Sequence, residues 1–387
     1  MKKIIIYYGP KNGFEKIISK ERKTLSELVH EDSIKRNTFT HKFKRDDEDE
    51  DEEKLDIPQK EYISNLVAYS ESYAGITESA VQSFASMLSA YVIDNLYLQN
   101  PPIQIRKQLE QAFPDQIVEK KYDYKKLSKK MFFKINDTFS ENIIGQETVR
   151  ERLLVSLYPL MDISTKIKPI VMMFYGNSGI GKTETAKFIS SILGQPLFRK
   201  QFSMFHSSEF QGYLFGGSHS QSSFAKDLLE RESNVILLDE FDKPHSLFHS
   251  AFYQMFDEGV FEDKNYHVEL YNSIIICTSN YQSEADIRKN LGEPIFFRFD
   301  KFIKFENLSE EALRKITNRL IEIQYNSLTK KEQLIVNKGY IQSRLLENIG
   351  KLSNVRQIST IVEEYFGIQL VSQLISKHKK EEQNNDQ

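Results

Sequence analysis

GNSGIGKT, residues 176 to 183, follows the apolar run Ile170 to Tyr175 and opens a segment carrying Ile189, Ile192 and Leu193 that stops at Gly194. Strand, glycine loop and helix in that order form the context of a phosphate-binding loop. Gly176, Gly179 and Gly181 let backbone N–H groups close around phosphate oxygens, and Asn177, Ser178 and Ile180 complete the loop. Lys182 is placed to meet the β- and γ-phosphates and Thr183 to take Mg²⁺, so the motif predicts ATP as the ligand.

Further apolar runs, Val235 to Leu238, Ile274 to Thr278 and Phe302 to Phe305, alternate with amphipathic segments, which implies an α/β domain with a parallel sheet. The second run delivers Asp239 and Glu240 to its carboxyl end, the edge where open α/β sheets bind ligands. One carboxylate can hold the metal and the next polarise a water, which is the chemistry of ATP hydrolysis. The third run ends in Ser279 and Asn280 and sets an amide at the same edge. Charge to meet a transferring phosphoryl group is available from two arginines, Arg298 in FFRFDKF and Arg356 after Ser353 and Asn354.

From 309 to 375 no strand-like run persists. Ser309 caps a helix with Glu310 and Glu311 in its first turn and Leu313, Ile316 and Leu320 on its apolar face. A last helix carries Ile358, Ile361, Val362, Tyr365 and Phe366, so a small helical lid follows the sheet.

Upstream, residues 2 to 9 read as a strand and 14 to 30 as a helix, and DDEDEDEE (46 to 53) reads as a solvated acidic linker. Val81, Phe84, Leu88, Tyr91 and Val92 follow a helical stripe ended by Pro101 and Pro102, which predicts a mainly helical N-terminal region. EKKYDYKKLSKKMFFK (119 to 134) interleaves lysines with aromatics, as single-strand nucleic-acid binders do, but its lysines four apart also describe the wet face of an amphipathic helix. The resulting segmentation is 1–45 a short αβ segment, 46–54 the linker, 55–135 a helical domain, 136–306 the large ATPase subdomain, 307–378 the lid and 379–387 a disordered tail.

The 387 residues suit two or three domains, and 52 basic against 55 acidic residues leave the net charge too small to argue for a polyanionic partner. The single cysteine, Cys277, excludes an intramolecular disulfide framework. The opening MKKIIIYYG is too short in its apolar run for a signal peptide or a membrane span, so a cytoplasmic protein is expected.

These residues, in this order, resemble the AAA+ ATPases of the Clp unfoldase branch, most closely the second ring of ClpB-like and ClpA-like proteins, over about 137 to 375. NVILLDEFDKPH resembles that branch's Walker B segment, DEGVFED its second pore-loop region, IIICTSN its sensor 1 strand, FFRFDKF the arginine-finger segment and LSNVRQI the sensor 2 helix. IIGQETVRERL, with Ile143 and Ile144, is similar to the segment that holds adenine. The resemblance implies that Lys182 and Thr183 bind phosphate and magnesium, Asp239 magnesium, that Glu240 activates water and that Asn280 senses the γ-phosphate. It further implies that Arg356 reaches its own nucleotide and Arg298 the neighbour's, which requires a ring, usually a hexamer.

GYLFGG stands 26 residues before Asp239, where the family places an axial loop that grips polypeptide. Tyr213, with Leu214 and Phe215, is thereby expected to contact a protein substrate, and Phe215 replaces the family's glycine. Only 17 residues separate Asn280 from Arg298, and they hold LGEP in place of the tripeptide by which relatives dock on a chambered peptidase, so that partnership is not expected. The first 135 residues resemble no Clp N-domain and are expected to take substrate or an adaptor. The leading expectation is a single-ring, ATP-driven protein remodeller. A nucleic-acid motor or loader, and a nucleotide-gated assembly switch that threads nothing, are the alternatives.

Overall fold

The computed structural model describes residues 1–43, 60–161, 167–204, 207–352 and 354–385, and the acidic block 46–53 lies outside them. The chain forms two compact units. One comprises Met1–Lys125, Met204–Asn234 and Leu247–Tyr271, and the other Lys126–Ser203, Val235–Ser246 and Asn272–Gln387.

The first unit is built on five parallel strands, β1 (Lys3–Tyr8), β2 (Lys23–Thr24), β3 (Tyr62–Ala68), β4 (Val92–Gln99) and β5 (Ile117–Lys121), in the spatial order β2-β3-β4-β1-β5. This corrects the expectation of a mainly helical N-terminal region. The stripe itself is real as far as Val81, Phe84 and Leu88, which are buried on two five-residue helices, Glu78–Gln82 and Phe84–Leu88. Val92, however, begins a strand. What hid β3 and β4 is their polar content: Asn65 and Asn95 interrupt the apolar runs, yet they face each other across the β3–β4 pair, and Asn95 Nδ2 donates to Asn65 Oδ1 at 3.1 Å. Asn65 Nδ2 in turn donates to the Glu21 carbonyl at 3.0 Å, so the strands keep both amides at little cost. The predicted helix at 14 to 30 is likewise displaced, to Leu25–Phe43.

The same unit contains the expected axial loop, and here the structure differs again. GYLF closes the helix Ser207–Phe215 in place of a glycine-rich loop. Tyr213 is 7% exposed and Leu214 is fully buried. The Tyr213 hydroxyl donates to Asp227 Oδ2 at 2.6 Å, and its ring centroid lies 6.0 Å from that of Phe224. Phe215 alone of the three is exposed, at 44%. Tyr213 therefore packs as a core aromatic with a satisfied polar tip, the usual state of a tyrosine, and Phe215 is the ring that stands in solvent. Downstream, buried His219 donates through Nε2 to the Ile76 carbonyl at 3.0 Å and places Nδ1 3.0 Å from Glu78. The segment DEGVFED forms one strand of a hairpin, β9 (Val260–Glu262) with β10 (His267–Glu269).

The second unit is the expected α/β ATPase fold. Its parallel sheet comprises β6 (Ile170–Tyr175), β7 (Phe198–Gln201), β8 (Val235–Asp239), β11 (Ile274–Thr278) and β12 (Lys301–Lys304), in the order β12-β6-β11-β8-β7. Helices Lys129–Asn142, Glu147–Leu157 and Lys182–Leu193 supply buried side chains such as Phe139, Leu153 and Ile189 to its core. The central strands are apolar up to their carboxyl-terminal residues because both faces are covered. Ile274 pairs with Ile170 and with Val235, so β6, β11 and β8 end level and their carboxyl ends share one edge.

The lysine and aromatic stretch splits between β5 and the helix Lys129–Asn142, whose Ser128 cap accepts from the Met131 N–H. Met131 and Phe132 pack on the core while Lys129, Lys130 and Lys134 are exposed, which is the wet-face arrangement except that Phe133 is exposed with the lysines. The helical lid is also present: Glu310–Ser327, capped by Ser309, packs Leu313 and Ile321 with Ile341, Ile358, Val362 and Phe366. Its final helix, Val355–Asn385, continues through most of the expected tail.

Candidate active site

The level strand ends and the lid enclose a cleft of about 490 Å³ within the second unit. One side is polar and follows from the glycine loop. Gly176, Gly179 and Gly181 adopt φ values of +127°, +75° and +112°. A Cβ on Gly176 would lie 2.4 Å from the Phe305 carbonyl oxygen, so only glycine lets the loop pass this close to the end of β12. Lys182 and Thr183 open the following helix, whose first-turn N–H groups face the cleft. The other side is apolar, with Ile143 and Ile144 opposite Leu308, Ile316, Leu320 and Ile323. A cradle for phosphates beside a slot for a flat base fits a nucleoside triphosphate.

Lys182 is buried, and its Nζ donates to the carbonyls of Gly176 and Asn177 and to Asn280 Oδ1 at 3.2 Å. Burial pulls its pKa down to about 8, against the opposing pull of Asp242 and Asp239. The sign of the consequence is definite. Between pH 8 and the ordinary lysine value of 10.5 the unfolded chain holds this proton and the folded chain sheds it, so Lys182 makes folding more favourable as pH rises through that window. Nucleotide affinity moves the other way, because a neutral amine offers no charge to a phosphate. Dissociation constants measured from pH 7 to 9.5 should weaken above about 8, approaching tenfold per pH unit.

Asp239 ends β8 and is buried. Its Oδ1 accepts from Thr278 Oγ1 at 2.5 Å, and its Oδ2 accepts from Arg199 Nε at 2.9 Å and Nη2 at 2.6 Å. Glu240 follows at φ +56°, a left-handed conformation that costs a non-glycine residue about 1 kcal/mol. The turn is held by the Glu240 N–H donating to Thr278 Oγ1 at 3.0 Å, and the side chain accepts from Gln201 Nε2 at 3.2 Å. Thr278 thus fixes both carboxylate-bearing residues.

Arg356 starts the last helix of the lid, where the Val355 N–H donates to the Gly179 carbonyl at 3.0 Å and Arg356 Nη1 lies 3.4 Å from Ser178 Oγ. The lid therefore rests directly on the phosphate loop. Buried Gln146 ties the loop to the end of the sheet, donating to the carbonyls of Ile180 and Glu306.

Of the sequence-predicted residues, the structure brings to this cleft Ile143, Ile144, the loop 178 to 183, Asp239, Glu240, Asn280 and Arg356. Gly176 and Asn177 stand behind it, touching Lys182. Arg298 does not line it, and its Nη1 donates to the Pro294 carbonyl. Sequence reasoning missed Arg199, Gln201, Thr278 and Gln146. Thr278 could have been found as the last residue of the strand before Asn280. Arg199 and Gln201 sit on a four-residue strand whose neighbour is β8, a pairing no local pattern reveals.

A glycine loop between strand and helix, with Lys182 on the phosphate side and paired acids at the next strand end, defines a P-loop nucleoside-triphosphatase. Residues 168–332 match the family described as AAA domain (Cdc48 subfamily). The chain is 24% identical over 289 residues to the chloroplastic chaperone protein ClpB2 of Oryza sativa subsp. japonica, covering 64% of this chain and 29% of that one. It is 29% identical over 205 residues to the mitochondrial disaggregase of Homo sapiens, covering 49% of this chain and 26% of that one. The closed-state cryo-EM reconstruction of Hsp104 with ATPγS and FITC casein superimposes with a TM-score of 0.55 at 13% identity, over 97% of this chain and 89% of that one. The family match and these relatives support an AAA+ ATPase domain of the Clp type over the second unit's sheet. The matches span under a third of the length of those two relatives. Among the described residues no helix is long and apolar enough to cross a membrane.

Proposed function

We propose that this chain hydrolyses ATP in the cleft at Lys182 and uses the energy, as a ring of like subunits, to remodel protein substrates. The observation that carries the reading is the convergence of Lys182, Asp239, Glu240, Asn280 and Arg356 on one cleft from four separate stretches of sequence. Lys182 and the helix N-terminus would bind the phosphates, and the slot between Ile143 and Leu308 the base. Thr183 and Asp239 would hold Mg²⁺, which would supply positive charge to offset that of the phosphates. Asp239 Oδ2 is held by Arg199, so a metal at Asp239 would share that carboxylate with the guanidinium. Glu240 takes the proton of the attacking water. Asn280, bonded to Lys182, links the strand end to the phosphate side, and Arg356 carries the nucleotide state into the lid.

The similarity to chaperones and a disaggregase supports a polypeptide substrate. In this reading Phe215, the exposed ring, contacts substrate, with Tyr213 and Leu214 supporting its helix. The test is ATP turnover with and without an unstructured polypeptide. Stimulation is expected in the parent and lost in Phe215→Ala, whose stability should change by no more than about 0.5 kcal/mol. Tyr213→Ala should instead lose about 3 kcal/mol or more in denaturant unfolding. Stimulation by single-stranded DNA alone, or full stimulation of Phe215→Ala, would overturn the assignment.

A further inference from the structure

The first unit has its own cavity, about 320 Å³, at the carboxyl ends of β1 and β5 and closed on its far side by β10. Carboxyl ends of parallel strands are where open α/β sheets bind ligands. At its wall lies Arg231, only 4% exposed. Its Nη1 donates to the Leu228 carbonyl at 2.7 Å and its Nη2 to the Glu269 carbonyl at 3.2 Å, while Nε has no partner. The Tyr124 ring lies 4.1 Å from its Cζ. Among the described residues no carboxylate reaches it.

A buried guanidinium that meets only carbonyls and a ring is costly, since a charge taken from water normally needs a counter-charge. Burial accordingly pulls its pKa down. The other cations at the cavity are already matched. Arg106 pairs with Glu119 at 2.8 Å and with Glu110 at 2.8 Å, and Lys121 pairs with Glu269 at 2.8 Å. Arg106 thus meets two carboxylates and Lys121 one, and Arg231, whose planar fork of donors suits an oxyanion, is the lining arginine that meets none among the described residues. Tyr8 and Tyr124 add flat walls to the same space.

We propose that this cavity binds a small phosphate monoester, with Arg231 as the principal contact to the phosphate and Arg106 and Lys121 at its mouth. The site is separate from the ATP cleft and does not depend on the remodelling function.

The test is titration calorimetry on the full chain carrying Lys182→Ala, which removes phosphate binding at the glycine loop, with inorganic phosphate, uridine monophosphate and acetate as probes. Saturable one-to-one binding of phosphate or uridine monophosphate is expected. Arg231→Met should weaken it at least tenfold and Arg106→Gln at least threefold, with folding checked by circular dichroism. Should Arg231→Met not fold, Arg106→Gln decides alone. Absence of saturable binding, equal affinity in the folded variants, or tighter binding of acetate than of phosphate would overturn the proposal.

Discussion

Glu240→Gln is expected to bind ATP about as tightly as the parent chain and to turn it over at least a hundredfold more slowly, since a positioned general base contributes roughly 10² to 10⁴. The substitution is nearly isosteric, and the features that hold residue 240 do not need its charge. The backbone N–H donates to Thr278 Oγ1, the turn lies at φ +56°, and Gln201 donates to the side-chain oxygen, which an amide oxygen can accept equally well. What is lost is the ability to take a proton. Lys182, Thr183 and Arg356 are untouched, so nucleotide affinity measured with a fluorescent analogue should survive while phosphate release collapses. Rapid turnover in this variant would remove Glu240 from the mechanism and leave Asp239 as the only carboxylate of the pair with a catalytic part.

The parts of this molecule that were legible in the sequence are those in which neighbours in the chain are neighbours in space. Loop 176 to 183, the acids at the end of β8 and Asn280 after β11 are each fixed by a strand and the turn that ends it, and their meeting follows from parallel strands ending level. The N-terminal sheet was not legible in this way. Its strand β1 pairs Lys3 with Asn95 and Ile4 with Ile117, so the neighbours that make these segments strands lie far off in sequence. Tyr213 misled for the same reason. Its surroundings in sequence are glycine, serine and glutamine, but its partners are Asp227 and Phe224, which reach it only once the helix Ser207–Phe215 has packed. Arg199 and Gln146 belong to this class too, joined to Asp239 across 40 residues and to Glu306 across 160.

Arg298→Ala should lower turnover by roughly 10³ or more, the usual range for an arginine that meets the transferring phosphoryl group, while leaving nucleotide binding in its own chain intact. The asymmetry rests on position. Arg298 follows the helix Glu293–Phe296, lies outside the cleft that holds Lys182 and Arg356, and is held there by the Pro294 carbonyl. An arginine so placed completes a site only if that site belongs to another subunit, as in head-to-tail rings, where the loop of one chain meets the opposite face of the next. Mixing then gives a sign that no defect within one chain can imitate. Arg298→Ala subunits retain a sound loop and Lys182→Ala subunits retain a sound arginine. Equal, random mixing restores both elements at about a quarter of the interfaces, from two preparations that are each inactive. Measured turnover should rise well above that of either preparation alone. If mixed assemblies form and turnover stays at the level of the separate variants, Arg298 does not act across the interface, and its loss must be explained by its contacts near β12 within its own chain.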